Sequence, residues 1–326
     1  MLLCAALLLA GCGSSGGEED TTTAAALAEK QTATQRKLER LRVQLRQRKR
    51  ALQARRVREA RVSATAGGHA VGVASPDASS SFGALEAELD GEIGAAIGAP
   101  GSDQVEGFGS LSSGSAWSTS KVPIALRLLQ DTGGPSGLSE AQAEGMRRAL
   151  TESDNEAAAA LFADLERMHG GITGASAAVG EVLREAGDET TQISTQGRDG
   201  FSSYGQTDWS LLNQERFMSA LAAGCISSQP SREYVLNLMG EGSSDTWGLG
   251  SAGLPARWKG GWGPGTDGRY LARQMGILYV GNREAVVTLA AIPADGQFES
   301  AEAMATRIAG WLAARAKSVA AQPAGC

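Results

Sequence analysis

Three short polar strings, in a fixed order along the chain, most strongly constrain what this protein can fold into: Ser118-Thr119-Ser120-Lys121, Ser153-Asp154-Asn155 and Lys259-Gly260-Gly261. The first string places a hydroxyl and an amine three residues apart, so on a helix they lie on one face within hydrogen-bonding reach. The second adds a hydroxyl and a carboxamide, and the third adds a second lysine followed by two residues without side chains. Together the strings predict a serine nucleophile that is served by lysine instead of histidine.

The scarcity of histidine supports this interpretation by elimination. Only His69 and His169 are present; His69 lies in a Gly/Ala/Ser-rich stretch, and two glycines follow His169. Neither context predicts the structured cleft that a Ser-His-Asp triad or a zinc site requires. The sequence contains no Walker-type phosphate loop and no Cys/His cluster. We therefore expect neither a metal nor a cofactor.

The first twelve residues form an apolar run that is too short to span a bilayer and ends in Leu9-Ala10-Gly11-Cys12. Residues 1–12 resemble a bacterial lipoprotein signal peptide with Cys12 as the lipidated residue; an ordinary cleaved signal is the alternative. The expected location is extracytoplasmic, with the protein lipid-anchored to the bacterial cell membrane. In such an oxidising compartment the two remaining cysteines, Cys225 and Cys326, are predicted to form a disulfide.

Composition divides the rest of the chain. Residues 13–65 contain a polar tether and then a basic stretch, in which 13 Lys and Arg oppose three acidic residues. Leucine spacing in this stretch predicts a helix with one thin apolar stripe. It is either a solvated stalk or weak coiled coil, or a helix that lies on anionic lipid or wall polymer. Residues 66–81 are predicted to be a flexible linker, and residues 82–326 the folded domain.

The folded part is acidic, since 17 Lys and Arg oppose 30 Asp and Glu from residue 66 onward, which argues against nucleic acid as a partner. Its pattern predicts early strands, a helical lobe over about residues 118–250, and late strands before a closing helix. Strands at both ends with helices between them predict an α+β fold. We expect one antiparallel sheet, built from N- and C-terminal segments, flanked by helices and interrupted by an inserted all-helical lobe.

From about Phe82 to Ala320, the chain resembles the serine β-lactamase and penicillin-binding protein superfamily, in its class A-like subgroup. Residues 117–129 are similar to the nucleophile helix of that family, residues 153–162 to its second-motif helix, and residues 170–191 to the segment before its active-site loop. The resemblance covers about three quarters of the chain in the family's order. It implies a β-lactamase/transpeptidase-like fold.

The resemblance also implies a role for each motif residue. Ser118 would be the nucleophile and Lys121 the group that accepts its proton, which requires a neutral amine. Ser153 would relay the proton to the departing nitrogen, and Asn155 would hold the substrate amide. Lys259 would supply a neighbouring positive charge and attract a substrate carboxylate.

The backbone after the third motif has a role as well. The N–H groups of Ser118 and Trp262 would form the oxyanion hole, with Gly261 beside them on the substrate-binding strand. The family usually has Thr or Ser where this chain has Gly260, and that hydroxyl binds a substrate carboxylate. We expect Arg269 or Arg273 to replace the lost contact.

A second departure concerns the deacylating base. Class A β-lactamases have a glutamate soon after the Gly-Asp pair, but here Glu189 follows Gly187-Asp188 too early and the expected place holds Gln196-Gly197-Arg198. An amide cannot act as a base. Acylation without fast deacylation is therefore expected, unless Asp199 or Glu189 takes over.

Two functions of different classes remain. The first is a membrane-anchored serine hydrolase, β-lactamase-like or D-alanyl peptidase-like, that forms an acyl-enzyme on Ser118. The second is a non-catalytic lipoprotein that binds cell-wall peptide or β-lactam and senses or scaffolds. The missing glutamate and Gly260 favour the second, and the intact nucleophile and base favour the first. A weaker alternative makes the basic stalk the functional part.

Overall fold

The computed structural model describes residues 74–241 and 246–323, together with Lys37. The helices are α1 (Pro76–Glu88), α2 (Lys121–Thr132), α3 (Glu140–Thr151), α4 (Asn155–His169), α5 (Ile172–Glu185), α6 (Leu211–Ala223), α7 (Gln229–Gly240) and α8 (Phe298–Val319). The strands are β1 (Gly91–Gly98), β2 (Val105–Gly109), β3 (Ser113–Ser115), β4 (Asp208–Ser210), β5 (Ala256–Pro264), β6 (Tyr270–Val280) and β7 (Arg283–Pro293). Short 3-10 turns cover Trp117–Ser120, Pro135–Gly137, Tyr204–Gln206 and Gly248–Ser251.

The main sheet has five antiparallel strands in the order β2-β1-β7-β6-β5. The early strand β1 pairs with the last strand β7, so the two ends of the domain share one sheet. A second, two-stranded sheet pairs β3 with β4. This topology confirms the predicted α+β fold with a sheet built from distant segments.

Two apolar cores lie on opposite sides of the sheet. On one side α8 and α1 pack against it, with Phe82 meeting the Trp311 ring edge-on at a centroid distance of 4.8 Å. On the other side the helices from α2 to α7 enclose a second core around Leu126, Leu165 and Phe217. Covering both faces lets β6 and β7 be almost entirely apolar.

Local sequence explains where several helices begin. The Ser139 hydroxyl and the Gln142 side chain form a reciprocal capping box on α3. The Asp154 carboxylate caps α4, and the Ser210 hydroxyl caps α6. These caps fix the start of the helices that follow the second motif and the long loop.

Part of the predicted linker is helical, which corrects the expected boundary at residue 82. The Ser75 hydroxyl accepts a hydrogen bond from the Ala78 N–H, and Pro76 favours the first helical turn. Residues 76–81 therefore belong to α1. Residues 66–73 of the linker, the stalk apart from Lys37, Cys12 and the signal segment lie outside the described residues.

Cys225, which follows α6, is disulfide-bonded. Its predicted partner, Cys326, lies outside the described residues, so this pairing stays a prediction. Within the part of the chain that the structure describes, no helix combines the length and the apolar character needed to cross a membrane.

The carboxyl of Glu215 on α6 is fully buried, and neither of its oxygens has a hydrogen-bond partner among the described residues. Burial raises the pKa of Glu215 well above its usual range, with the Arg216 charge opposing the rise. The folded state therefore keeps a proton that the unfolded state releases at lower pH. Stability should fall as pH rises from the usual carboxyl pKa towards the raised one.

We expect Glu215→Gln to flatten this dependence. The thermal unfolding midpoint of the wild type should fall more between about pH 4 and about pH 8 than that of the variant, because the amide does not titrate. Circular dichroism melts at both pH values measure the difference. Glu233→Gln, at an exposed position on α7, is the matched control and should keep the wild-type slope. Equal slopes for wild type and Glu215→Gln would contradict the prediction.

Candidate active site

The nucleophile candidate lies in the 3-10 turn that leads into α2. The Thr119 hydroxyl donates to the Ala116 carbonyl at 2.5 Å, and the Ser120 hydroxyl donates to the Trp117 carbonyl at 2.6 Å. Both are buried, whereas Ser118 is partly exposed and lines a cleft. Trp117 has a left-handed φ of 48°, which bends the chain sharply before the serine. The turn therefore uses two of its hydroxyls internally and presents the third.

Lys121 joins the first motif to the second. Its amine group is almost fully buried, and its Nζ donates to the Ser153 carbonyl at 2.6 Å, the Asp154 carbonyl at 3.2 Å and the Asn155 Oδ1 at 2.8 Å. Burial of this amine is possible because three oxygens lie within hydrogen-bonding distance of it. Lys121 thereby fixes the second motif beside the nucleophile turn.

The second motif is held in an uncommon backbone conformation. Ser153 has a φ of 56°, a left-handed value that costs about 1–3 kcal/mol for a residue with a side chain. The Asp154 carboxylate accepts from the Ala157 N–H at 2.9 Å and forms an ion pair with Arg148. These contacts of Asp154 hold the turn, so the Ser153 hydroxyl faces the third motif.

The third motif supplies the second lysine and a close backbone approach. The Lys259 ammonium is fully buried and donates to the Ser153 Oγ and to the Gly260 carbonyl, both at 2.8 Å. A Cβ atom at Gly261 would lie 2.8 Å from the Ser118 nitrogen and 3.0 Å from the Thr119 nitrogen. Because glycine permits this contact, β5 brings the Trp262 backbone beside the nucleophile turn.

The first two motifs border one cleft of about 670 Å³, and the residue after the third motif, Trp262, also lines it. Its lining consists of motif residues, aromatic rings and a run of small residues from the loop between α5 and β4: Trp117, Ser118, Lys121, Glu152, Ser153, Asn155, Ala159, Gly200, Phe201, Ser202, Tyr204, Gly205 and Trp262.

The loop over residues 188–207 is anchored at both ends. The buried Asp188 carboxylate accepts from the Trp209 indole at 3.0 Å and from the Asn213 amide at 2.6 Å. From the middle of the loop, Arg198 donates to the side chain of Gln206, near the other end, at 2.7 Å and to the Pro264 carbonyl at 2.5 Å. The loop is thus tied to the end of β5.

Along this loop, the residues that border the cleft bring no carboxylate to it. Neither Glu189 nor Asp199 is among the described lining residues, whereas the hydroxyls of Ser202 and Tyr204 belong to lining side chains. Burial raises the pKa of Tyr204, and contact with the Ser202 hydroxyl opposes the rise. A phenol that stays protonated cannot serve as a base near neutral pH.

Glu152 is the one carboxylate-bearing residue among the described residues that line the cleft. Sequence reasoning missed it, although it directly precedes the second motif. It also missed Phe201 and Tyr204, because the chain gives no periodic signal for which loop residues turn inward.

The structure corrects the expectation for the two arginines, neither of which is among the described lining residues. Arg273 is fully buried, and its guanidinium donates to the carbonyls of Gly114, Ser115 and Trp209 and to the Gln214 side chain. Burial lowers the pKa of Arg273 to about 10.

Arg269 forms ion pairs with Glu92 at 3.0 Å and Asp267 at 2.7 Å. Both guanidinium groups therefore already have partners within the protein. Neither arginine replaces the contact to a substrate carboxylate that a hydroxyl at Gly260 would have made. Among residues 74–241 and 246–323, no group of His, Cys, Asp and Glu side chains is arranged to hold a metal ion.

The chain is similar to known β-lactamases both in sequence and in structure. A sequence model described as the β-lactamase enzyme family matches residues 143–314. Among solved structures, PenP of Rhodopseudomonas palustris, a candidate class A β-lactamase, is similar with 20% identity and a TM-score of 0.58, covering 74% of this chain and 100% of its own. The ancestral GNCA class A β-lactamase is similar with 19% identity and a TM-score of 0.57, covering 73% of this chain and 99% of its own.

The TLA-3 extended-spectrum β-lactamase gives 15% identity and a TM-score of 0.59, covering 74% of this chain and 99% of its own. At these identities the structures establish the fold alone. None of the curated proteins matches the chain significantly.

Proposed function

Because this chain belongs to the β-lactamase enzyme family, we propose that it is a serine hydrolase that forms an acyl-enzyme on Ser118 with β-lactam or D-alanyl peptide-like substrates and releases the acyl group slowly. One observation supports this proposal most: Ser118 and Lys121 of the first motif border one cleft with Ser153 of the second, and Lys259 of the third donates to the Ser153 hydroxyl.

In the proposed acylation, the Ser118 Oγ attacks the substrate carbonyl carbon while its proton passes to the neutral Lys121 amine. The N–H groups of Ser118 and Trp262 stabilise the oxyanion that develops. Collapse of this intermediate breaks the bond to the leaving nitrogen, which receives a proton through the Ser153 hydroxyl. Asn155 orients the substrate amide, and Lys259 keeps the Ser153 hydroxyl in place.

Slow release follows from the loop residues at the cleft. Hydrolysis of the ester on Ser118 needs a base that removes a proton from water. The loop supplies hydroxyls and glycines there, and the carboxylate at the cleft, Glu152, is engaged by Arg147 at 2.7 Å. Loss of general-base assistance slows such a step by about 10²–10⁴-fold.

Intact-protein mass measurements after mixing with a fluorescent penicillin test the proposal. The wild type should gain one adduct that persists over many minutes, and Ser118→Ala should gain none. Ser318→Ala, at an exposed position on α8, is the matched control and should acylate normally. Rapid multiple turnover would contradict slow release.

The alternative is a non-catalytic protein that binds cell-wall peptide or β-lactam. The lack of a loop carboxylate at the described cleft and the absent hydroxyl at Gly260 favour it. It predicts saturable binding of a penicillin with no mass adduct on either wild type or Ser118→Ala. Because the two functions differ in this adduct, the same experiment separates them.

We further propose that lipid on Cys12 anchors the protein to the outer face of the cell membrane. The apolar run that ends in Leu9-Ala10-Gly11-Cys12 supports this, and the basic stretch before residue 66 would strengthen binding to anionic lipid. Cys12→Ala should release the protein from membranes after a high-salt wash, which removes the electrostatic contribution. A variant that stays fully bound after the wash would contradict the anchor.

A further inference from the structure

We propose that Glu152 makes the cleft select acyl donors whose acyl group carries an ammonium next to an aromatic ring. This inference rests on the proposed acylation of Ser118 and adds the chemical class of the acyl group to it.

Glu152 places a half-exposed negative charge at the cleft. Glu152 caps the C-terminal end of α3 and is 53% exposed at its side chain. It directly precedes Ser153 and borders the same cleft as Ser118. The screening length at physiological ionic strength is about 8 Å, so a charge of the bound acyl group within that distance of the carboxylate interacts with Glu152.

Arg147 does not cancel this charge, because two carboxylates share it. Its guanidinium donates to Glu144 through Nε at 2.9 Å and through one terminal nitrogen at 2.7 Å, and to Glu152 through the other at 2.7 Å. One positive and two negative groups leave the trio with a net charge of −1. Arg147 and Glu144 are both well exposed, so a ligand ammonium can approach Glu152 without displacing a buried partner.

The two lysines of the motifs are less accessible than Glu152. Lys121 is 2% exposed and Lys259 is fully buried, and each donates hydrogen bonds to oxygens of the motifs. Their hydrogens point at the second motif and at β5. Arg198 is a further cation beside the cleft; its guanidinium lies over the Phe201 ring and donates to the Gln206 side chain and the Pro264 carbonyl.

Two aromatic side chains give the cleft an apolar wall that is open to solvent. Phe201 is 39% exposed and Trp262 is 45% exposed, although both are large and apolar. Phe201 also meets the Trp117 ring edge-on at 5.2 Å. An aromatic ring in the ligand would cover such surfaces favourably. Ring recognition and charge recognition therefore occur in the same cleft.

Three penicillins with nearly the same side chain form the test: ampicillin, with an ammonium beside the phenyl ring; benzylpenicillin, with neither charge; and carbenicillin, with a carboxylate at that position. Rates of Ser118 acylation are measured by intact mass at low ionic strength. We expect ampicillin to react fastest and carbenicillin slowest, with the acylation rate changing about two- to fivefold for each unit of ligand charge. High salt should reduce the differences between the three rates.

Variants separate Glu152 from the rest of the site. Glu152→Gln should bring the three rates together, and Glu152→Lys should reverse their order. Glu140→Gln, at an exposed position on the opposite end of α3, is the control and should keep the wild-type order. Phe201→Ala should lower all three rates alike, because all three compounds share the ring.

The outcomes distinguish the inference from the function on which it rests. Acylation of Ser118 at equal rates by all three compounds, or fastest by carbenicillin, would overturn the selection by Glu152 and leave the proposed function intact. The selection by Glu152 would also be overturned if the three acylation rates kept the wild-type order in Glu152→Gln. No adduct with any of the three would overturn both.

Discussion

Replacing Lys121 with alanine should lower the rate at which a β-lactam acylates Ser118 by about 10²–10⁴-fold, the usual contribution of a positioned base. The second amine of the motifs, Lys259, is not placed to substitute for it, since it is engaged with the Ser153 Oγ and the Gly260 carbonyl. Acylation rates from intact mass, measured over a range of β-lactam concentrations, separate the chemical step from binding.

Lys121 also connects the first and second motifs, so its variant needs a test of folding. Circular dichroism and the thermal midpoint report whether the protein stays folded, and Lys121→Met fills the buried space better than alanine while removing the amine. Lys317→Ala, on the exposed side of α8, is the matched control and should acylate normally. A folded Lys121→Met protein that acylates at the wild-type rate would refute the role of the amine.

Gly261→Ala should reduce acylation of Ser118 by about 10²-fold or more. The new Cβ would lie 2.8 Å from the Ser118 nitrogen and 3.0 Å from the Ala116 carbonyl oxygen, and all of these atoms are backbone atoms that cannot rotate away. The turn and β5 must therefore separate, which moves the two N–H groups of the oxyanion hole apart. Removal of one oxyanion donor elsewhere costs about 10²–10³-fold.

The matched control for this prediction is Gly83→Ala on α1, where a Cβ would meet nothing within 4 Å. That change should leave acylation unaltered and slightly favour the helix, because alanine is the better helix former. Stopped-flow acylation with a chromogenic cephalosporin compares both variants with the wild type. Wild-type acylation by Gly261→Ala would mean that the close approach of β5 is not required.

The sequence alone predicts the parts of the site that short-range chemistry determines. The residues of the three motifs are specific enough in type and order that their meeting at one place follows from the sequence. The caps at Ser139 and Asp154 are likewise local signals. The antiparallel sheet follows from apolar strand patterns at both ends of the domain, and β1 indeed pairs with β7.

The sequence does not predict the parts that depend on which long-range contacts a side chain makes. Arg273 is expected from the sequence to bind a substrate carboxylate, but the fold buries it against backbone carbonyls that lie far away in the chain. Glu152 and Phe201 line the cleft through the direction of a helix end and of a loop, and neither direction follows from residue type. The start of α1 is missed because a Ser/Ala-rich segment is compatible with both a linker and a helix.

The pairing of β1 with β7 has a consequence for how the protein matures. Gly91 pairs with Pro293, and the sheet that positions Lys259 contains both strands. About 200 residues separate these partners, so the central pairing of the sheet is available only after nearly the whole domain has emerged. The turn that contains Ser118 is synthesised well before strands β5 to β7, which complete the site. An incomplete chain therefore contains Ser118 and its base Lys121 without Lys259 and the Trp262 N–H, so the proposed site is complete only when folding finishes.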